Sequence, residues 1–533
     1  MKARTNTTSV APRRRRAALI LAGTIAALLA APRASAGTIT FDGGLDGTGI
    51  TLNTAANWDG DALPITSDEV LFNDSITLPP LLTTTGSSPT YGNLIWNSNA
   101  TSLITINTGT TTSNTITLSG GGGSTAASAA GGATGDLLVM GTAAIDSTLT
   151  IGGNAGAGTG RLNLVLGTSG NFNVVNSGAT LNITSIISGA VNLTKTGAGT
   201  LTLAGANTFG VTNRFTLTAG TVNINHATAL GVLGNSFYID GGAIDNTSGA
   251  AITTNAYKQS WNGDFVFKGT NNLNLGAGTV SLGSTAGVSR TITAQASTLT
   301  VGGIISNGVT ADRLIKDGSG TLTLNGANTF TGGFTIRAGT AIGGVAAAFG
   351  TGTITLGDVA GSSDASLRVS TASIVTNTIE IASGSTGNTL SIGSVSGGGS
   401  VTFSGAISLG HDLVAANANT NYTNLSGVIS ETGGARAITV NAGSGTVLLS
   451  ANNTFTGGVT LNSGRLQVGA LNSTGAGTFT IMGGSLDSSV AANAVLNNSS
   501  YAWNGDFAFR GTLQVTLGTG NVTLGGNRVV TTT

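Results

Sequence analysis

The side chains best suited to chemistry are few. Asp59, Asp61, Asp68, Glu69 and Asp74 lie close together near Trp58 and Trp96. Hard cations want several carboxylate oxygens and aromatic rings stack on sugars, so a Ca²⁺ or sugar site is one reading. The plainer reading, preferred here, is a solvated loop in the first coils of the fold. Asp264 and Asp506 each follow Asn-Gly, a turn dipeptide, in Trp261-Asn262-Gly263-Asp264-Phe265 and Trp503-Asn504-Gly505-Asp506-Phe507. Recurrence at matching offsets argues for a repeated turn, with Trp261 and Trp503 as packed anchors instead of sugar platforms. His226 and His411 stand far apart, each without a carboxylate or Cys motif, as turn or surface residues do. Asn207, Asn328 and Asn453 read as turn residues that bond locally to backbone. There is no Gly-x-Ser-x-Gly elbow, His-Glu-x-x-His, Walker loop or Ca²⁺-binding Gly-rich nonapeptide. Gly-x-Gly matches carry no weight in a chain with 85 glycines. The expected catalytic, cofactor-binding and metal-ligating sets are therefore empty, and no cofactor is expected.

The elements that must carry these residues are strands. Charged residues make up 8% of the 533, against about 25% in an ordinary soluble domain. Glu, Lys, Gln and Met, the residues that coat helix surfaces, total 15, which argues against a helical or α/β enzyme. A mean hydropathy of +0.28 with so few charges is not a disordered composition. There is no cysteine, so stability must come from hydrogen-bonded sheet and stacked apolar side chains.

The first 36 residues read as an export signal. Arg13, Arg14, Arg15 and Arg16 precede an apolar run over residues 17–31, and Ala34-Ser35-Ala36 supplies small residues at a cleavage site. The run is shorter than the ~20 residues that span a bilayer, and no other segment could cross as a helix. The arginine cluster leaves the twin-arginine route open beside the general one. Seven of the 21 basic residues lie at or before Arg33 and all 21 acidic residues lie after Ala36, so a chain beginning at Gly37 carries −7. Nucleic acid is excluded as a partner on that balance.

Beyond Gly37 the pattern alternates with period 2, as in Leu162-Asn163-Leu164-Val165-Leu166 and Thr353-Ile354-Thr355-Leu356. Internal repeats then select the architecture. Gly197-Ala198-Gly199-Thr200-Leu201-Thr202-Leu203 leads to Asn207-Thr208-Phe209, and the pair returns at Gly318 with Asn328-Thr329-Phe330 and at Gly443 with Asn453-Thr454-Phe455. Successive copies are 121 and 125 residues apart. The Trp-Asn-Gly-Asp-Phe marker recurs after 242 residues, or two periods, and the middle unit lacks it. Strand-like segments inside each period recur about every 20 residues, which suits coils that stack and bury an apolar stripe. The predicted fold is all-β, a parallel β-helix (β-solenoid), with glycine at the φ > 0 corners. At roughly 20–22 residues per coil this gives roughly 23 coils.

The stretch Gly-x-Gly-Thr-Leu-Thr-Leu, Gly-Ala-Asn-Thr-Phe-Thr-Gly-Gly and an Ala-Gly-Thr turn resembles the autotransporter-associated β-strand repeat, also called the passenger-associated transport repeat. Residues 318–344 match best, then 443–469, while 197–224 has two extra residues after Phe209. The lead-ins Ile186-Ile187-Ser188-Gly189, Ile304-Ile305-Ser306-Asn307-Gly308 and Val428-Ile429-Ser430 resemble the segment that precedes this repeat. The resemblance implies a right-handed β-helix in an exported bacterial passenger, and a role in secretion and folding outside the cell. It supplies no catalytic residue.

The expected organisation is a signal peptide at 1–36, first coils at 37–118, a Gly/Ala-rich segment at 119–160 read as loop or weakly patterned coil, and a β-helix at 161–533. The β-helix reads as incomplete at its C-terminal end, because Leu517 to Gly525 parallels Leu275 to Gly283 without the next repeat core following. A chain cut there is expected to self-associate through the open strand edge. The expected function is a non-catalytic surface rod acting as adhesin, spacer or matrix component. Its partners would be surface glycans or other cell-surface proteins, besides the export machinery. The alternative is a polysaccharide-acting β-helix enzyme, a lyase or glycosidase, which needs carboxylates converging about 5–10 Å apart.

Overall fold

The computed structural model describes residues 36–533 apart from 45–48, 75–80, 85–86, 99–103, 110–111, 121–128, 153–160, 385–387, 418–419 and 491–492. The export segment expected through Ala36 lies outside the described residues except for Ala36 itself.

The alternation read from the sequence becomes one inward and one outward face per strand. In Leu162–Leu166 the three leucines are buried while Asn163 and Val165 are only half-buried. The same holds in Thr321–Leu324, where Leu322 and Leu324 point into the core. Apart from one isolated antiparallel bridge between Phe41 and Trp58, strand pairings among the described residues are parallel, in a solenoid of about 18 turns with ~23-residue coils. Register makes the core a set of ladders. Leu149, Leu181, Leu201, Val222 and Ile244 stack in successive coils, and so do Ile151, Ile183, Leu203 and Ile224. All are buried.

Three long sheets form the faces. An 11-stranded sheet runs from Thr38–Thr40 to Ile305–Ser306, a 15-stranded sheet from Leu81–Thr83 to Ile429–Glu431, and a 19-stranded sheet from Ile252–Thr253 to Val530–Thr532. Early in the chain a third face is a four-stranded sheet of Thr90–Tyr91, Asn114–Leu118, Leu162–Leu166 and Ile187–Ser188. It stops at Ile187–Ser188, and the third face is loop until Ile252–Thr253 begins the longest sheet.

One sequence expectation changes in detail. The coils are longer and fewer than the roughly 23 expected, because the spacing from one coil to the next is uneven. Thr148 pairs with Thr180, 32 residues on, whereas Thr180 pairs with Thr200 after 20. The Gly/Ala-rich stretch at 119–160, read as loop or weakly patterned coil, contributes strands to the solenoid among its described residues. It holds the wholly buried strand Asp136–Met140 in the 11-stranded sheet and Thr148–Ile151 in the 15-stranded one.

One apolar cluster runs unbroken from Ile39 to Phe507. At its N-terminal end Phe41, Trp58, Phe72, Tyr91 and Trp96 form a chain of ring contacts with centroids 5.2–6.0 Å apart. Trp58 also donates its Nε1–H to the Leu52 carbonyl at 2.8 Å.

Candidate functional site

The three repeats place a buried asparagine where no strand forms. The Ile187 N–H donates to Asn207 Oδ1 (2.9 Å), and Asn207 Nδ2 donates to the Ala229 carbonyl (2.8 Å). Ile187 lies one coil before and Ala229 one coil after. Asn328 joins Ile305 N–H (2.7 Å) and the Ala348 carbonyl, and Asn453 joins Ile429 N–H (2.8 Å) and the Ser473 carbonyl (2.7 Å). The following threonine N–H donates to the carbonyl of the same isoleucine in each copy, at 2.8, 2.8 and 2.9 Å. The expectation of local turn bonding is thus corrected. An amide has one donor and one acceptor end, and here each end replaces a ladder bond that the loop cannot make, tying three successive coils together. The next residue but one, Phe209, Phe330 or Phe455, is buried in the core. Above it sits a glycine of the next coil with φ of 94°, 72° or 66°: Gly231, Gly350 or Gly475. A Cβ there would come within 2.4–2.6 Å of the phenylalanine carbonyl oxygen.

A second device sits at the corner before the Gly-x-Gly core. Lys195 and Lys316 are wholly buried on the strands Leu193–Thr196 and Arg313–Asp317. Lys195 Nζ donates to the carbonyls of Thr196 (2.6 Å), Gly197 (2.8 Å) and, one coil on, Ala219 (3.4 Å). Lys316 makes the same set with Asp317 (2.9 Å), Gly318 (2.6 Å) and Ala338 (2.9 Å). Gly197 and Gly318, with φ of 73° and 77°, belong to the corner whose carbonyls the ammonium meets. Burial drives the Lys195 pKa down to about 7 and that of Lys316 to about 8, the Asp317 charge opposing the fall in the second case. In the third repeat Val440 takes the buried position, two residues after Ile438 as Lys195 is two after Leu193. There the corner is absorbed into one strand, Ile438–Leu449, with register shifts around Asn441.

The Trp-Asn-Gly-Asp-Phe elements are repeated turns that clasp the next coil. Asp264 Oδ1 accepts from Thr291 N–H (2.8 Å) and Asp506 Oδ1 from Val529 N–H (3.0 Å). Arg290 Nε donates to the Trp261 carbonyl (2.9 Å) and Arg528 Nε to that of Trp503 (3.2 Å). Trp261 is fully buried and Trp503 partly so, each edge-on to the phenylalanine that ends its motif. A related pair escaped the sequence reading. Asp245 and Asp487 are buried, and each accepts from the N–H and Oγ of a threonine one coil on, Thr270 and Thr512. The signal was the same 242-residue period, in Gly241-Gly242-Ala243-Ile244-Asp245 and Gly483-Gly484-Ser485-Leu486-Asp487.

The N-terminal acids divide. Asp59 and Asp61 are exposed as a solvated loop requires. Asp68 and Glu69 are not part of such a loop, being fully buried where the first coils join. Asp68 accepts from Gly37 N–H and Ile65 N–H at 2.9 Å, and Glu69 from Thr38 Oγ1 and Asn93 Nδ2 at 3.3 Å. Asp74 accepts from Ser98 Oγ at 2.6 Å. Trp58 and Trp96 are buried and offer no ring face to a sugar. Among the described residues no three His, Cys, Asp or Glu side chains gather as a metal site would need. His226 and His411 each lie at a bend and bond locally through Nδ1.

Comparison with known proteins supplies a context for these devices. The passenger-associated transport repeat family matches residues 193–224, 314–340 and 440–468, which contain the two buried lysines and all three staple asparagines. The chain is also similar to the adhesin BmaC autotransporter of Brucella suis biovar 1 (strain 1330), with 36% identity over 114 residues. That stretch is 21% of this chain and 3% of the Brucella protein. No solved structure matches significantly.

Proposed function

We propose, for a chain that carries three passenger-associated transport repeats, that it is the β-helical passenger part of an exported surface protein, non-catalytic and adhesin-like. Its repeats are proposed to aid secretion and folding outside the cell. The observation that carries this reading is the asparagine staple, found in the same form at three places 121 and 125 residues apart. A chain that crosses a membrane unfolded must find its register coil by coil. A residue that bonds 20–24 positions back and 20–22 forward fixes register over the shortest non-local distance a solenoid offers. The carboxylates support a structural reading too. Asp68, Asp245, Asp264, Asp364, Asp412, Asp487 and Asp506 each accept a backbone N–H from another coil. Among the described residues no helix is long and apolar enough to cross a membrane.

The test is surface display of the full protein with Asn207, Asn328 and Asn453 all changed to Ala. Folded, protease-resistant passenger should fall at least several-fold, with degraded chain in its place, and unchanged display would refute the folding role. Exported protein should begin at Gly37 on N-terminal sequencing. Polysaccharide turnover abolished by one Asp or Glu substitution would overturn the non-catalytic reading.

A further inference from the structure

The four-stranded sheet ends in a concavity. Its strands shorten from five residues at Leu162–Leu166 to two at Ile187–Ser188, and the next coil offers only the Asn207 loop. The space left is a cavity of about 390 Å³, within the range of ligand clefts, crossed by four coils and lined by Arg161, Thr184, Ser185, Gly205, Ala206 and His226 among others. Among the described residues no acidic one lines it, although the chain from Gly37 on carries −7.

Its lining includes a cation, Arg161, and a histidine, His226, beside the hydroxyls of Thr184 and Ser185. Arg161 is exposed, and the ion pairs of the described residues, Arg337–Asp358 and Arg465–Asp487, lie elsewhere. The Thr228 N–H donates to His226 Nδ1 at 3.1 Å. Nδ1 is therefore an acceptor, and the ring proton of the neutral imidazole sits on Nε2, free to donate. Ser185 is 5% exposed and its Oγ has no partner within the protein. A buried hydroxyl without a partner is costly; Ser185 Oγ is shut off from solvent, and a turn about χ1 toward the cavity that the residue lines would let a ligand atom complete the bond.

We propose that this pocket binds an anionic sugar unit, a carboxylate- or sulfate-bearing residue of a glycan chain. The anion would lie against Arg161 and the His226 Nε2–H, with Ser185 and Thr184 on ring oxygens or hydroxyls. An apolar ligand would leave three donors unpaired, and a neutral sugar would leave the guanidinium without a counter-charge. The inference deepens the adhesin-like reading by naming a ligand class. It is read on purified chain in solution, so its failure is distinct from a failure of surface display.

The experiment is calorimetric titration of the purified exported protein with four probes. These are a uronic-acid oligosaccharide, a sulfated oligosaccharide, a neutral oligosaccharide of the same length, and inorganic sulfate. At least one anionic oligosaccharide should bind at least tenfold more tightly than the neutral one, and which of them does identifies the anion. Arg161→Ala and Ser185→Ala should each weaken that binding at least tenfold. Arg161 is exposed and Ser185→Ala deletes only an unpaired hydroxyl, so both variants should keep the wild-type Tm or, for Ser185→Ala, raise it. Absence of binding by either anionic oligosaccharide overturns the proposal. So does equal binding of the neutral one, binding untouched by both variants, or inorganic sulfate binding as tightly as the sugars.

Discussion

A side-chain amide that replaces two ladder bonds should be costly to remove. Asn328→Ala strands the Ile305 N–H and the Ala348 carbonyl in a buried corner, and is expected to lower stability by about 2–4 kcal/mol, read as a shift of the urea midpoint. Asn328→Asp, nearly the same shape, should cost at least as much, because a carboxylate oxygen then faces the Ala348 carbonyl. The buried lysines make a prediction of opposite character. Their folded pKa values, about 7 and about 8, lie below the unfolded value near 10.4. The unfolded chain therefore binds more protons between those limits, and stability rises with pH across roughly 7–10. Below pH 7 both states hold the proton and the burial cost is at its fullest. Thermal unfolding should show Tm climbing through this window, with the climb absent in Lys195→Met/Lys316→Met. Asn207, Asn328 and Asn453 were legible in the sequence as a recurring triplet, yet their bonding was not. Their partners lie a coil away, and coil register is what a single sequence leaves unspecified.

Elements in this fold are joined more by what leaves the corner than by what lies in the strand. The aspartates after Gly241-Gly242 and Gly483-Gly484 take both a backbone N–H and a hydroxyl from the following coil. Asp487 has in addition Arg465 at 3.6 Å, a side chain 37% exposed. A partly exposed ion pair contributes little, so the buried acceptor bonds should set the cost. Asp245→Ala and Asp487→Ala are then expected to lose similar amounts, about 2–4 kcal/mol. A loss at Asp487 more than 2 kcal/mol larger would assign the ion pair a substantial role. Strands with clean alternation, such as Leu162–Leu166 and Thr200–Leu203, were legible directly. Asp136–Met140 was not, because all five of its residues are buried. A strand covered on both faces shows no period 2, and its Gly- and Ala-rich surroundings hid its limits. Asp68 and Glu69 were misplaced for a related reason. Carboxylates among turn residues look solvated until the first coil folds across them.

At the scale of the whole chain each coil touches mainly its two neighbours, so stability is close to a sum of coil and interface terms along one dimension. The apolar cluster is continuous from Ile39 to Phe507, and no interior coil is unpaired among the described residues. Repetition was legible from the markers at 121, 125 and 242 residues. The turn count was not, because the offset between stacked residues varies from coil to coil, 32 for Thr148 and Thr180 against 20 for Thr180 and Thr200, while the ladders stay in register. In such an array a weakened joint in the middle acts differently from one near an end. Asn328 ties the coil of Ile305 to that of Ala348, with many stacked coils on either side. Asn328→Ala should therefore lower amide-exchange protection most in the strands Ile305–Ser306, Thr321–Leu324 and Phe334–Ile336. The coils around Leu201 and Leu449 should keep theirs, since local opening no longer requires the whole solenoid to melt. Native-state hydrogen exchange resolved by peptide would show this as a dip bounded by two protected blocks. Uniform loss of protection from Ile39 to Phe507 would mean that the coils unfold as one cooperative unit, and that the staples set its total stability instead of the strength of single joints.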